Sequence, residues 1–379
     1  MRISVVTPRF NTSGVPLAQL RFAKALAARG HEVTLLVGWV NEGSALPTAP
    51  GVEVRVLGKS RVMGMLGPLT RHLRQARPDV VFTAEDHLTA ITLIAASLAR
   101  SRAKISGSSR VTPFDTYRGP PLSKGWILKR LMRRLMPRAD VLTCVSQDMV
   151  AQYRTVFPDA RHVCVYNIVA DHEAELRMQE PVDEPWLDGD APVLVAAGSL
   201  VPWKGFSDLL LAVRDVLRRR PVRLITLGDG PLRADLERQA RDLGIADAVK
   251  FTGFVANPLK YFARADVFVL SSHVEGMPNV LVEAMMSGCT PVSTNCPTGP
   301  RELLQDGKYG YLVPMKDPVA LAAGIEKALD HKIPKALLQE AVRPFSAEAV
   351  IERHFDLLGI PASERRVTGP RRRATTPDL

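Results

Sequence analysis

Residues 275–288 read EGMPNVLVEAMMSG. Glu275 and Glu283 have seven residues between them, among them a Gly, a Pro and an Asn, and then a helix-forming run. Upstream lies the apolar stretch DVFVLSS and downstream TPVSTN. The segment reads as strand, loop, helix, strand. One carboxylate falls in the loop and the other in the early turns of the helix. Taken alone, the pair fits two readings: solvated glutamates on an ordinary turn, or a site aimed at the edge of a sheet.

The same alternation runs outward in both directions. Upstream of the quoted stretch the strands are APVLVAAGSL, VRLITLGDG and AVKFTGF; downstream are TPVSTN and YGYLVP. Between them lie helical patterns such as FSDLLLAVRDVLRRR, LRADLERQARDLG and DPVALAAGIEKALDH. An earlier set holds RISVVTP, HEVTLLVG, PDVVFTA, AKISGSS, ADVLTCVS and HVCVYNIV. Its first helix, VPLAQLRFAKALAARG, keeps Leu17, Leu20, Ala23 and Ala27 on one face and stops at Gly30. Near-continuous apolar strands alternating with helices predict parallel sheets covered on both faces. The expected fold class is α/β, with two doubly wound Rossmann-like domains facing across a cleft.

The expected boundaries follow from composition. Residues 1–170 form the first domain. Residues 171–190, DHEAELRMQEPVDEPWLDGD, turn acidic and lose periodicity, as a linker does. Residues 191–346 form the second domain. Residues 347–360 form a last helix that can pack back on the first domain, and the basic tail 361–379 reads as disordered.

The chain has 379 residues, 46% of them hydrophobic, with a net charge of +11. Residues 1–170 hold 24 Lys and Arg against 10 Asp and Glu, residues 171–360 hold 21 against 27, and the tail holds 5 against 2. The first half therefore suits an anionic partner. No apolar run is long enough to span a bilayer. The opening MRISVVTPRF lacks a secretory h-region, and the four cysteines form no C-x-x-C pair. A cytoplasmic protein with free thiols is the expectation.

Several strand ends carry unusual loops. NTSG, with Gly14, leads straight into the first helix. GSLVPWKGF places Ser199, Lys204 and Gly205 between a strand and a helix, and LGDGP places Gly228 in another turn. In open α/β sheets ligands bind beyond the carboxyl ends of the strands. A lysine and free N–H groups at such an edge suit a diphosphate.

These blocks together resemble the family-4 retaining glycosyltransferases, which have the two-domain GT-B fold. The match is carried by the E-x7-E pair in SSHVEGMPNVLVEAMMSGCTPVSTNCPTGPRELLQDGKYGYLVP, by GSLVPWKGF, LGDGP and FTGF, and by GVPLAQLRFAKALAARGHEVTLLV, all in the family's order. The resemblance implies sugar transfer from a nucleotide diphosphosugar, a UDP-sugar, with retention at the anomeric carbon and no metal. It implies no cofactor beyond that co-substrate. Glu283 would bind the ribose, and Glu275 would sit by the donor sugar. The backbone of Gly276, Met277, Pro278, Asn279 and Val280 would cradle sugar and phosphates. Lys204 would neutralise the diphosphate, and Gly14 would let its loop approach it. Gly228, Gly253 and Phe254 would complete the nucleotide side.

Two departures stand out. The family's Arg before the Lys is Ser199 here, and its N-terminal-domain His is replaced by Arg110 in KISGSSRVTP. His87, in FTAEDH, is a second candidate for that role. DGD at 188–190 has the form of a metal motif but precedes a strand rather than following one. Segment 120–138, PPLSKGWILKRLMRRLMPR, has an apolar stripe and a basic face. It reads either as a helix on an anionic membrane or as a core helix. With no recognition motif, nucleic acid is not expected. The acceptor expected is lipid-linked or a surface glycan, with the protein peripheral on the inner membrane face. CPTGPRE resembles members acting on N-acetylhexosamines. The rival readings are a nucleotide-sugar epimerase, transfer to a soluble small molecule, and a non-catalytic nucleotide-sugar-binding partner.

Overall fold

The computed structural model describes residues 1–11, 14–41, 46–170 and 173–366. Thr12 and Ser13 of the NTSG loop, Asp171 and His172 of the acidic segment, and tail residues 367–379 lie outside the described residues. The chain divides into two compact units. The first comprises Met1–Val145, Val150–Ile168 and the chain from Ala347; the second comprises Ser146–Met149 and Val169–Ser346.

The first unit is built on a seven-stranded sheet. Its strands are β1 (Arg2–Phe10), β2 (Glu32–Val40), β3 (Val52–Val56), β4 (Val80–Ala84), β5 (Lys104–Ser109), β6 (Val141–Cys144) and β7 (His162–Cys164). The order is β3-β2-β1-β4-β5-β6-β7, with every pairing parallel. β4 is buried along its whole length, because both faces of a parallel sheet are covered by helices. β3 is absent from the sequence expectation. Its VEVRV is a partly exposed edge strand, so it carries no apolar run to announce it.

The helix Gly14–Ala28 ends where expected, with Gly30 at φ 87° donating its N–H to the Ala27 carbonyl. Its buried face is rotated from the expected one. Ala18, Phe22, Ala23 and Leu26 face the core, while Leu17 and Leu20 are only partly buried. Phe22 packs edge-on to Phe82 and tilted against His354 of the helix Ala347–Leu357. That helix puts Val350, Ile351 and Phe355 into the same core, which neither a strand nor a helix pattern in the first 170 residues discloses. Residues 361–366, read as the start of a disordered tail, are instead folded. They hold a 3₁₀ turn at Ala362–Glu364, and Arg365 pairs with Glu352 and Asp356.

The second unit carries a six-stranded sheet of β8 (Val193–Ala197), β9 (Arg223–Leu227), β10 (Val249–Phe251), β11 (Val267–Leu270), β12 (Thr290–Thr294) and β13 (Tyr311–Val313). The order is β10-β9-β8-β11-β12-β13, again parallel. Leu194, Leu209, Val213, Leu224, Val269 and Ile325 lie in its core. The acidic segment 171–190 includes a short helix, Ala174–Gln179, and a 3₁₀ turn, Pro185–Asp188. Asn257 donates to the Arg177 carbonyl, and Lys250 pairs with buried Glu184, so this segment is fastened to the second unit.

In each sheet the chain reverses direction across one pair of neighbours, β1/β4 and β8/β11. The loops leaving those strands diverge there and leave room for a ligand.

Candidate active site

In the second unit, the loops after β8 and β11 hold Lys204 and Glu275. Lys204 closes the 3₁₀ turn Pro202–Lys204, and Gly205 follows at φ 65°. A Cβ at Gly205 would lie 2.0 Å from the Ser271 carbonyl oxygen, so only glycine lets the two loops meet. Four contacts then join them. The Ser271 hydroxyl donates to the Lys204 carbonyl at 2.9 Å, and the His273 N–H donates to the Trp203 carbonyl at 2.8 Å. His273 Nε2 is 2.7 Å from Asp208 Oδ2. Lys204 Nζ is 2.5 Å from Glu275 Oε1. Glu275 also accepts from the Ser272 hydroxyl at 2.6 Å, and its carbonyl accepts from the Thr298 hydroxyl. A half-buried ammonium and carboxylate are thus fixed at a strand edge.

The helix Asn279–Met286 begins directly after the Glu275 loop, with Pro278 at its N-cap and no side-chain cap. The Leu281 N–H donates to the Pro278 carbonyl at 3.0 Å, and the helix dipole puts its positive end at the sheet edge. Glu283 sits in the second turn and is buried, whereas Gly276 and Asn279 are partly exposed. The E-x7-E spacing therefore places one carboxylate before the helix N-terminus and the other inside it.

β9 and β10 add a third wall. Gly228, at φ 144°, has its would-be Cβ 2.0 Å from the Gly198 carbonyl oxygen, and its N–H bonds the Gly253 carbonyl at 2.8 Å. Phe254 is exposed beyond it. Ser199 is exposed as well, and it brings no charge to the loop. Arg233 lies beside Gly253, but it is committed to Glu237, Asp229 and the Phe251 carbonyl.

In the first unit, β4 ends in Glu85, Asp86 and His87. Glu85 has φ 78°, and burial raises its carboxyl above the ordinary value while Arg9 at 3.8 Å opposes that. His87 is exposed in the first turn of the helix Asp86–Ala99. Asp86 is buried and accepts three hydroxyl bonds, from Ser109 and Tyr117 at 2.5 Å and from Tyr153 at 2.7 Å. This cluster ties the loop after β5 to two helices. Sequence reasoning missed it, because residues 86, 109, 117 and 153 share no local pattern.

Arg110, at the end of β5, turns inward. Its Nη1 donates to Asn167 Oδ1, and its buried Nε has no hydrogen-bond partner among the described residues. Burial lowers its pKa to about 10, which still leaves it cationic at neutral pH. It lines a cavity of about 20 Å³ with Gln19, Ser108 and His354, room for one water. Of the two candidates in this unit, His87 is the accessible one. Gly14 opens the first helix, and an added Cβ there meets nothing, so packing does not require glycine at that position.

The basic segment divides between its two readings. The helix Lys124–Leu135 is capped by Ser123, and Met132, Leu135 and Met136 are buried. Ile127 and Leu131 remain exposed at 53% and 45%, beside exposed Arg130, Arg133 and Arg134. Asp188 and Asp190 of the DGD stretch are exposed. The cysteines are free thiols, three of them buried. Among the described residues, no helix is long and apolar enough to cross a membrane.

Comparison with known proteins adds the following. The family model "Glycosyl transferases group 1" matches residues 191–331, and "Glycosyl transferase 4-like domain" matches residues 13–167. The lipopolysaccharide core biosynthesis glycosyltransferase LpsE of Rhizobium meliloti is 36% identical over 184 residues, 47% of this chain and 53% of that protein. The chain thus aligns with about half the length of LpsE. LpsD of the same organism, also a lipopolysaccharide core biosynthesis glycosyltransferase, is 27% identical over 302 residues, 78% of this chain and 80% of that one. Among solved structures, Anabaena HepE in complex with UDP and glucose has a TM-score of 0.71 at 20% identity, covering 95% of this chain and 99% of that one. At that identity the likeness is one of fold.

Proposed function

The chain belongs to the group 1, 4-like glycosyltransferases of GT-B fold, and we propose on that footing that it transfers a hexose or N-acetylhexosamine from a UDP-sugar to a lipid-linked or surface-glycan acceptor. The observation that carries this reading is the Lys204–Glu275 pair at the β8/β11 edge, next to the N-terminus of the helix Asn279–Met286. A diphosphate at that edge meets an ammonium and a positive helix end, and so needs no divalent ion to balance its charge.

The residues then divide the work. Glu283, inside the helix, accepts hydrogen bonds from the ribose hydroxyls. Gly276 to Val280 line the sugar and phosphates with backbone. In the transfer, the bond from the anomeric carbon to the diphosphate oxygen breaks, the acceptor hydroxyl oxygen bonds that carbon from the same face, and the hydroxyl's proton leaves on the departing diphosphate. Lys204 stabilises the charge that builds on the leaving diphosphate. Glu275, steadied by Ser272 and Thr298, stabilises the positive charge that builds on the sugar. His87 and Arg110 are assigned to the acceptor, with His87 in direct reach. The lipopolysaccharide relatives favour an acceptor on a lipid anchor, and the exposed Ile127 and Leu131 among arginines favour work at an anionic membrane face.

A thermal-shift panel of UDP-, GDP- and ADP-sugars, followed by release of free nucleotide, tests the reading. A tight donor raises the melting midpoint by mass action. Stabilisation by a UDP-sugar with slow hydrolysis is the expected result. Binding with no turnover toward water or any lipid acceptor would favour a non-catalytic nucleotide-sugar binder.

A further inference from the structure

The first unit has a second cleft, at the amino ends of its strands. It encloses about 940 Å³ between the C-termini of the helices Leu66–Ala76 and Asp86–Ala99 and the start of β5. Arg74, Arg77, Arg100, Arg102 and Lys104 line it, against two acids, Asp79 and Glu364. Asp79 is engaged by the Arg2 backbone N–H at 2.7 Å. Arg74 donates to the Leu98 carbonyl, and Lys104 to the Leu358 carbonyl. The guanidinium groups of Arg77, Arg100 and Arg102 have no hydrogen bond or ion pair among the described residues. On the second unit's surface, Arg219, Arg220 and Arg238 each have a carboxylate partner.

The backbone at two of these arginines is unusual. Arg77 and Arg100 are the C-caps of the two helices, and both are left-handed, at φ 44° and φ 51°. Glycine takes that position at low cost, whereas a side chain there is strained. The dipole at a helix C-terminus favours a nearby cation, and that accounts for one arginine per helix. It does not account for Arg102 as well, nor for strained caps on both helices. Strain kept alongside unpaired like charge marks a place where the side chains serve a ligand.

We propose that this cleft binds an anion bearing clustered phosphate groups, clamped by Arg77 and Arg100 from the two helix ends and by Arg102 from the loop that leads into β5. Arginine suits that role, since its planar fork meets phosphate oxygens two at a time. The volume is that of a small-molecule site. The phosphates come either from a soluble polyphosphorylated molecule or from the headgroups of an anionic lipid surface. The proposal does not depend on the transfer reaction, whose residues lie at the carboxyl ends of the strands.

The test is titration calorimetry of the full chain with sodium tripolyphosphate in saturating UDP, which keeps the Lys204 edge occupied, alongside sedimentation with phosphatidylglycerol vesicles. The variant is Arg77→Gly with Arg100→Gly, which removes both side chains and relieves both caps. It should melt no lower than wild type. It should lose at least about tenfold in affinity for one probe or both. Arg102→Ser should lose affinity too, while Arg241→Ser, at an exposed arginine of the second unit, should keep it. Wild-type binding should weaken from about 0.01 M to about 0.15 M NaCl, as the Debye length falls from about 30 Å to about 8 Å. Loss confined to tripolyphosphate identifies a soluble ligand, and loss confined to vesicles identifies lipid headgroups. Wild-type affinity for both probes in the double variant, or no binding of either probe by wild type, overturns the proposal.

Discussion

Lys204 and Glu275, 71 positions apart in sequence, meet at 2.5 Å at the edge of the second sheet. Neither strand end creates this pair alone. Gly205 brings the loops together, and Ser272 holds the carboxylate from its other side. On the proposed function, a diphosphate arriving at this edge would compete with Glu275 for the ammonium, and the pair would set how strongly Lys204 is available to the leaving group.

Replacing Lys204 by Ala should therefore lower the chemical step by about two orders of magnitude, the scale of one lost electrostatic stabiliser. Single-turnover kinetics would read it. Wild-type rates would mean that another cation takes this load.

The two glutamates should separate by parameter. Glu283→Ala should weaken UDP binding by roughly 1–3 kcal/mol, as for a hydrogen bond to a charged group. Glu275→Ala should mainly lower kcat. Equal losses of UDP affinity in both variants would contradict the division of roles.

Chelation is the third check. If the diphosphate charge is met by Lys204 and a helix N-terminus, as proposed, turnover in EDTA should match turnover in buffer. Activity lost in EDTA and restored by Mg²⁺ or Mn²⁺ would bring Asp188 and Asp190 back into consideration.

On the helix Lys124–Leu135, Arg130, Arg133 and Arg134 are exposed, while Met132 and Leu135 are core. Changing the three arginines to Ser should spare the fold and cut binding to phosphatidylglycerol vesicles by on the order of a hundredfold, at about 1 kcal/mol per residue. UDP binding should not move. Wild-type protein that stays in the supernatant at low salt would favour a soluble acceptor.

Stability should fall in acid. Burial holds His354 down at about 3, and burial also lowers His31, His72 and His162. The unfolded chain takes up protons near pH 6.5 that the folded chain refuses, so stability drops as pH falls below that value. His354 alone should cost about 2 kcal/mol between pH 6.5 and pH 5. Urea unfolding at both pH values should show that difference shrink by a similar amount in His354→Leu. An unchanged difference would mean that His354 takes up its proton in the folded state.

The sequence by itself determined two sets of parallel strands, because apolar runs flanked by glycine turns are local signals. It also placed Lys204 and Glu275 in loops after strands and Glu283 in the helix that follows, since motif spacing is local too. Tertiary structure decided what distant segments do to each other. It paired Lys204 with Glu275 and gathered Ser109, Tyr117 and Tyr153 around Asp86. It turned Arg110 inward to Asn167, and it brought the helix Ala347–Leu357 into the first core. It added β3 as an edge strand and divided the 120–138 stripe between core and surface. Each of these depends on which residues desolvate together, and that is fixed by packing across long sequence separations rather than by any window of neighbours.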